Sequence, residues 1–104
     1  MSEAGPRLTT QTLKVLGVLM SRKQGEFSGA DIARTTQLAS GTLYPILLRL
    51  EQAGWAASRW EDGDPRELGR PRRRFYKVTG IGASKARSAF REMKVFTQGA
   101  LAWR

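Results

Sequence analysis

Neither cysteine nor histidine occurs anywhere in the 104 residues. Their absence excludes disulfide bridges, thiolate nucleophiles, the common zinc ligand sets and every catalytic arrangement that relies on imidazole. Carboxylate, Lys, Ser/Thr and Tyr chemistry is all that is left. No titratable pair of those types stands out, so the sequence predicts a protein that is not an enzyme and uses no cofactor or metal. Long apolar runs are missing as well. No stretch reaches the roughly 18 residues of a membrane span, and no charged-then-apolar leader precedes a small-residue cleavage site, which predicts a cytoplasmic protein with no membrane partner.

Negative charge is also scarce. Nine Asp and Glu stand against 18 Lys and Arg, a formal net charge of +9. On so small a body this excess points to a polyanion: DNA, RNA or anionic membrane. Thirteen of the cations are Arg and five are Lys. A guanidinium fork grips phosphate oxygens and guanine edges at two points where an ammonium acts as one, so nucleic acid is favoured over lipid. The length suits a single domain. At this size folding removes roughly 60–70% of the unfolded chain's surface from water, so burying a further apolar face against a second copy would add stability.

Along the chain, residues 1–8 carry Gly and Pro among polar residues and predict a flexible N-terminal arm. A first helix is expected from about Thr9 to Met20, its apolar residues spread over more than one face so that it needs two packing partners. Glu26-Phe27 reads as a short extended piece. Ser28 suits the N-cap of a helix over 29–36. After the turn Gln37-Leu38-Ala39, a third helix is expected from Ser40 to Ala53, closed by Gly54. Leu43, Ile46, Leu47 and Leu50 fall at i, i+3, i+4 and i+7 and form its core stripe. Two strands, Trp55 to Trp60 and Arg74 to Val78, then flank a long polar tip as a two-stranded hairpin. Thr79 caps a final helix of about 24 residues, roughly 36 Å long, on which Ala86, Ala89, Phe90, Met93, Phe96, Ala100 and Trp103 form an apolar seam.

Two short helices joined by a tight turn, at 28–36 and 40–53, have the proportions of a helix-turn-helix, although two ordinary bundle helices fit the same pattern. The hairpin that follows favours the first reading, because five arginines (66, 70, 72, 73 and 74) crowd into nine residues at its tip, as in a wing. Such a tip can follow the phosphate backbone or enter the minor groove, the bland alternative being a solvated loop. At about 100° per residue, Gly41, Tyr44, Pro45, Leu48 and Gln52 lie opposite the core stripe, with Thr42 and Arg49 on the flank. That face would meet the major groove of double-stranded DNA. Ser40 and Thr42 can donate to phosphate beside the free N–H groups of the helix start, and Tyr44 can reach phosphate or a base edge. Pro45 distorts the first turns slightly and fixes the angle at which they are presented. Leu48 is either a surface leucine or a contact for a thymine methyl group. On the last helix, either the seam folds back on its own core or it packs on a partner's first and last helices. The second choice gives a homodimer with Leu13, Leu16, Phe90, Met93, Phe96 and Trp103 in its interface.

Several separated segments resemble the PadR-like transcriptional regulators over roughly residues 10–92. Ser28-Gly29-Ala30-Asp31-Ile32-Ala33 is similar to the family's second helix. Gly41-Thr42-Leu43-Tyr44-Pro45-Ile46-Leu47-Leu48-Arg49-Leu50-Glu51, with Gly54, is similar to its recognition helix. Gly69-Arg70-Pro71-Arg72-Arg73-Arg74-Phe75-Tyr76-Lys77-Val78-Thr79 is similar to its wing and last strand. The resemblance implies a dimeric repressor reading a partly palindromic operator, with one recognition helix per half-site and wings in the adjacent minor groove. It implies a compact member, without a separate C-terminal domain, that dimerises through its first and last helices. Some compact members bind apolar drugs at the dimer centre through an aromatic on the last helix. Met93 stands where such an aromatic would sit, so a small apolar ligand at the dimer interface is a weaker implication. Leu48 departs from the arginine often found at its position.

The expected fold is therefore mainly α (α+β): an arm at 1–8, a winged helix-turn-helix at 9–79 and a dimerisation helix at 80–104. The DNA-binding set is Ser40, Thr42, Tyr44, Pro45, Leu48, Arg49, Arg70, Arg72, Arg73 and Arg74. The competing reading is a winged-helix architectural or protein-interaction module that reads no sequence.

Overall fold

A computed structural model describes residues 6–22 and 25–102, from residue 94 onward as backbone only. The order is α1 (Thr10–Met20), β1 (Phe27–Ser28), α2 (Gly29–Thr36), α3 (Ser40–Gln52), β2 (Ala56–Trp60), α4 (Pro65–Leu68), β3 (Arg74–Val78) and α5 (Gly80–Ala102). This is a winged helix-turn-helix in which the hairpin β2–β3 follows the helix pair and β1 precedes it, the three forming a small antiparallel sheet of strand order β1-β3-β2. The sheet has one strand more than the expected two-stranded hairpin. The short extended piece at Phe27–Ser28 pairs with the centre of β3, Phe27 opposite Tyr76 and Ser28 opposite Phe75.

Local chemistry sets the helix ends. Thr9 caps α1, its hydroxyl accepting from the Thr12 amide at 3.1 Å. Ser28 caps α2 by accepting from the Asp31 amide at 3.1 Å, which satisfies one of the free donors of the first turn. The turn into α3 is made by Gln37 in the left-handed region at φ 61°, with its amide donating to Ala33 at 2.7 Å. At the far end of α3, Gly54 takes φ 79°. The Gly54 amide donates to Glu51 and the Trp55 amide to Leu50, the paired bonds of a Schellman closure.

The core stripe of α3 is as expected: Leu43, Ile46, Leu47 and Leu50 are all buried. They meet Val15, Leu16 and Leu19 of α1, Ile32 of α2, Phe27, Trp55 and Tyr76 from the sheet side, and Ala86 of α5. Helix α1 packs on α2, α3, β3 and α5, which is why its apolar residues do not keep to one face. The start of α5 is locked to the α3–β2 junction. Thr79 donates its hydroxyl to the Gly54 carbonyl at 2.6 Å and accepts from the Gly82 amide at 3.0 Å. At Gly82 even a Cβ would stand 2.0 Å from the Trp55 carbonyl oxygen.

Two expectations need correction. The tip of the wing is not all loop: Asp64 accepts from the Arg66 amide at 3.0 Å, Pro65 opens the single turn α4, and Gly69 ends it at φ 71°. Leu16, expected in a subunit interface, is fully buried in this subunit's own core. Phe90 is half-buried and packs against the same core, beside Gly17. Leu13 is half-buried and Met93 is 45% exposed. The expectations for the side chains of Phe96 and Trp103, and for the arm before residue 6, fall outside the described residues.

Candidate nucleic-acid interface

Helix α3 presents the expected outward face. Ser40, Gly41, Tyr44, Pro45, Leu48, Arg49 and Gln52 are exposed, and Thr42 is half-buried. Its start is uncapped: Ala39 offers no side-chain acceptor, so the first amides point outward without a side-chain partner. Pro45 sits inside the helix, and α3 continues through it to Gln52. The missing bond would have run to the Gly41 carbonyl, which lies on the exposed side and can be hydrated.

Tyr44 leans toward α2. Its hydroxyl lies so close to the first residue of α2 that a Cβ at Gly29 would approach it to 2.4 Å. The absence of a side chain at Gly29 is thus what admits the Tyr44 ring. Between them opens a cleft of about 390 Å³ lined by Ser28, Gly29, Ala30, Tyr44, Trp60, Arg72, Arg73, Arg74 and Tyr76. The fold therefore joins the outward face of α3 to the arginine tip of the wing in one concavity. On the other flank of α3, a second cleft of about 620 Å³ includes Arg7, Thr9, Thr12, Gly41, Thr42, Pro45 and Arg49. A third, of about 690 Å³, lies between α1 and the end of α2. It contains none of the expected site residues.

The arginines of the wing divide into two kinds. Arg70 is committed within the chain: its guanidinium donates to both Glu61 oxygens at 2.7 and 2.9 Å. The Arg73 amide adds a bond to the same carboxylate at 3.1 Å. With Arg70 as the main cause and the Arg73 amide second, the Glu61 carboxyl is lowered to about 2. Arg74 lies over the Trp60 ring at 4.9 Å and 3.8 Å from Glu51, so its position is fixed from two sides. Glu51 also accepts from the Ser58 hydroxyl at 2.5 Å. At the foot of the sheet, Arg59 grips Glu26 through two bonds of 2.8 Å, chiefly through which the Glu26 carboxyl is held below its ordinary value. Asp31 pairs with Arg34.

These pairings occupy Glu26, Asp31, Glu51 and Glu61 out of nine carboxylates. Among the described residues, no carboxylate comes within 4.0 Å of Arg72, Arg73, Arg49 or Arg7. Part of the surplus positive charge is thereby left on α3 and the wing, the rest lying on cations such as Lys14, Lys85, Arg87 and Arg91 of α1 and α5. Two contributors escaped the sequence reading. Trp60 is 56% exposed at the end of β2, and Arg7 reaches the α3 flank from the start of the chain. The pairing of Trp60 with Arg74 across the hairpin was derivable once the strand ends were fixed. Nothing local in the sequence marks Arg7.

Among the described residues, no cluster of carboxylates could hold a metal ion, and no helix is long and apolar enough to cross a membrane. Comparison with known proteins gives a consistent picture. Residues 15–88 match the model of the transcriptional regulator PadR-like family. Among solved structures, a PadR family transcriptional regulator from Eggerthella lenta DSM 2243 shares 25% identity at a TM-score of 0.71, over 88% of this chain and 78% of that one. A PadR family transcription regulator from Clostridium difficile R20291 superposes at a TM-score of 0.75 with 19% identity, over 91% and 98% of the two chains. Bacillus subtilis PadR, solved in complex with operator DNA, shares 20% identity at a TM-score of 0.65. That match covers 79% of this chain and 48% of the B. subtilis protein, so the chain spans about half of that relative's length. No curated protein matches the chain.

Proposed function

Since this chain belongs to the transcriptional regulator PadR-like family of DNA-binding proteins, we propose that it is a homodimeric repressor that reads a partly palindromic operator. Each α3 occupies the major groove of one half-site, and each wing reaches the neighbouring backbone or minor groove. The observation that carries this reading is the shared cleft between Tyr44 of α3 and Arg72 and Arg73 of the wing. A helix face and a cationic tip set side by side match a duplex, whose groove and flanking phosphates are met together.

Within this reading the roles differ. Ser40 and Thr42 hold phosphate at the uncapped helix start, Tyr44 and Arg49 reach base edges or phosphate, and Leu48 meets a thymine methyl group. Arg72 and Arg73 supply the wing contacts. Arg70 and Arg74 act at one remove, the first by shaping the tip through Glu61 and the second by fixing Trp60. The dimer is formed through the exposed sides of α1 and α5, with Leu13 and Met93 at the boundary. Leu16 and Phe90 support those helices from within.

Selection of bound fragments from a random duplex pool, followed by footprinting, tests the proposal. It predicts an inverted repeat with half-site centres about 34 Å apart. Selection that enriches no common sequence would favour the competing reading of a module that binds without reading bases. Light scattering tests the assembly: twice the 11.6 kDa chain mass is expected, and 11.6 kDa at micromolar concentration would contradict it.

A further inference from the structure

Trp60 is placed where a core has no use for it. More than half of its surface is exposed (56%), whereas Trp55, at the other end of the same strand region, is buried. Its ring nonetheless has a packing partner on one face. The Arg74 guanidinium covers it at 4.9 Å and is itself anchored 3.8 Å from Glu51. An exposed aromatic already packed on one face carries less ordering cost when something packs against it. The indole N–H donates to no other described residue. Trp60 lines the cleft that also holds Ser28, Gly29, Tyr44, Arg72 and Arg73.

We propose that this cleft seats one sugar–phosphate unit of the DNA backbone and that Trp60 is its floor. This rests on the DNA-binding reading above and adds the contact that reading lacks. The indole ring packs on a deoxyribose, its N–H donates to a phosphate oxygen, and Arg72 and Arg73 neutralise the charge. At about 390 Å³ the cleft falls in the range of roughly 300–1,000 Å³ typical of small-ligand sites. An intact duplex presents sugars and phosphates at its surface and keeps its bases stacked, so an indole on a wing meets the backbone without any base being flipped out. The contact is therefore indifferent to sequence and positions the wing.

The test uses the whole chain and a mixed-sequence duplex of about 30 base pairs across a salt series. Trp60→Ala is expected to weaken binding about tenfold at every salt concentration, and Trp60→Phe, which keeps a ring but loses the N–H, about threefold. Because indole is uncharged, the slope of log affinity against log salt stays that of the wild type. A changed slope would mean that the variant acts only by releasing Arg74, and would overturn the proposal. Iodide quenching, taken as the difference between wild type and Trp60→Phe, should show an accessible emission that DNA protects. Trp60→Ala binding within about twofold of wild type, or Trp60 emission still quenched in the saturated complex, overturns it too. Should Trp60→Ala fail to fold, the quenching difference decides alone. Wild type that binds no duplex at all would remove the DNA-binding reading along with this one, whereas normal binding with an indifferent Trp60 removes only this one.

Discussion

A Cβ added at Gly82 would collide with the Trp55 carbonyl, whereas one added at Gly41 would meet nothing within 4 Å. The two glycines thus have opposite reasons to be present. Gly82→Ala must push α5 off the α3–β2 junction and is expected to cost about 3 kcal/mol or more. Gly41→Ala, in the first turn of α3, is expected to stabilise by roughly 0.5–1 kcal/mol through lower unfolded-state entropy. Urea unfolding distinguishes them. Glu61 supplies a second test at this scale. Its carboxyl lies at about 2 against an ordinary 4.5, because Arg70 and the Arg73 amide favour the charged form. A lowered value means that the clamp's contribution is complete above about pH 4.5 and is lost as pH falls toward 2. A carboxyl titration followed by NMR should find Glu61 well below the ordinary glutamate value of 4.5, and Arg70→Ala should bring it back toward that value. An unshifted Glu61 in the wild type would remove the clamp from the account.

The elements differ in how visibly the sequence announces them. Helices α2 and α3 were readable to within a residue, because Ser28 is a strong cap, the four leucine and isoleucine positions of α3 keep helical spacing, and Gly54 closes it. The hairpin strands were readable from Trp55 and the Arg74–Val78 run. Helix α4 escaped although Asp64-Pro65 and Gly69 are ordinary start and stop signals, since a single turn buries nothing and leaves no periodicity to find. Strand β1 escaped as a paired strand because two residues show no alternation, and only their partner in β3 makes them a strand. Leu16 was misplaced for a related reason: a helix packed on several sides offers no apolar stripe from which to separate core from interface. Core and boundary are separable by experiment. Leu16→Ala is expected to lose about 2–5 kcal/mol of stability by leaving a cavity. Met93→Glu should shift the mass seen by light scattering from dimer toward monomer. A dimeric Met93→Glu variant would move the interface elsewhere. Ser28→Ala, removing the α2 cap, should cost about 1 kcal/mol.

At the scale of the whole molecule, the net charge of +9 showed from composition alone that a polyanion was the partner to expect. The sequence could not show which cations would be available, because pairing depends on where Glu26, Glu51 and Glu61 fall in space. The fold withdraws Arg59 and Arg70 into ion pairs and leaves the guanidinium groups of Arg72 and Arg73, which line the Tyr44 cleft, with no described carboxylate within 4.0 Å. If both touch phosphate, replacing Arg72 and Arg73 by alanine should lower the salt slope by about two, while Arg70→Ala should change it less.

The central claim is that the outward face of α3 reads sequence while the wing supplies affinity. Its most direct test is to measure binding of wild type, Tyr44→Ala and the Arg72/Arg73 double alanine variant to a selected duplex and a scrambled one across a salt series. The account predicts a wild-type preference for the selected duplex of about 10³ or more, a preference that collapses in Tyr44→Ala and survives in the wing variant, whose affinity falls on both duplexes. A wild type that binds both duplexes equally, or a Tyr44→Ala variant with its preference intact, would contradict it.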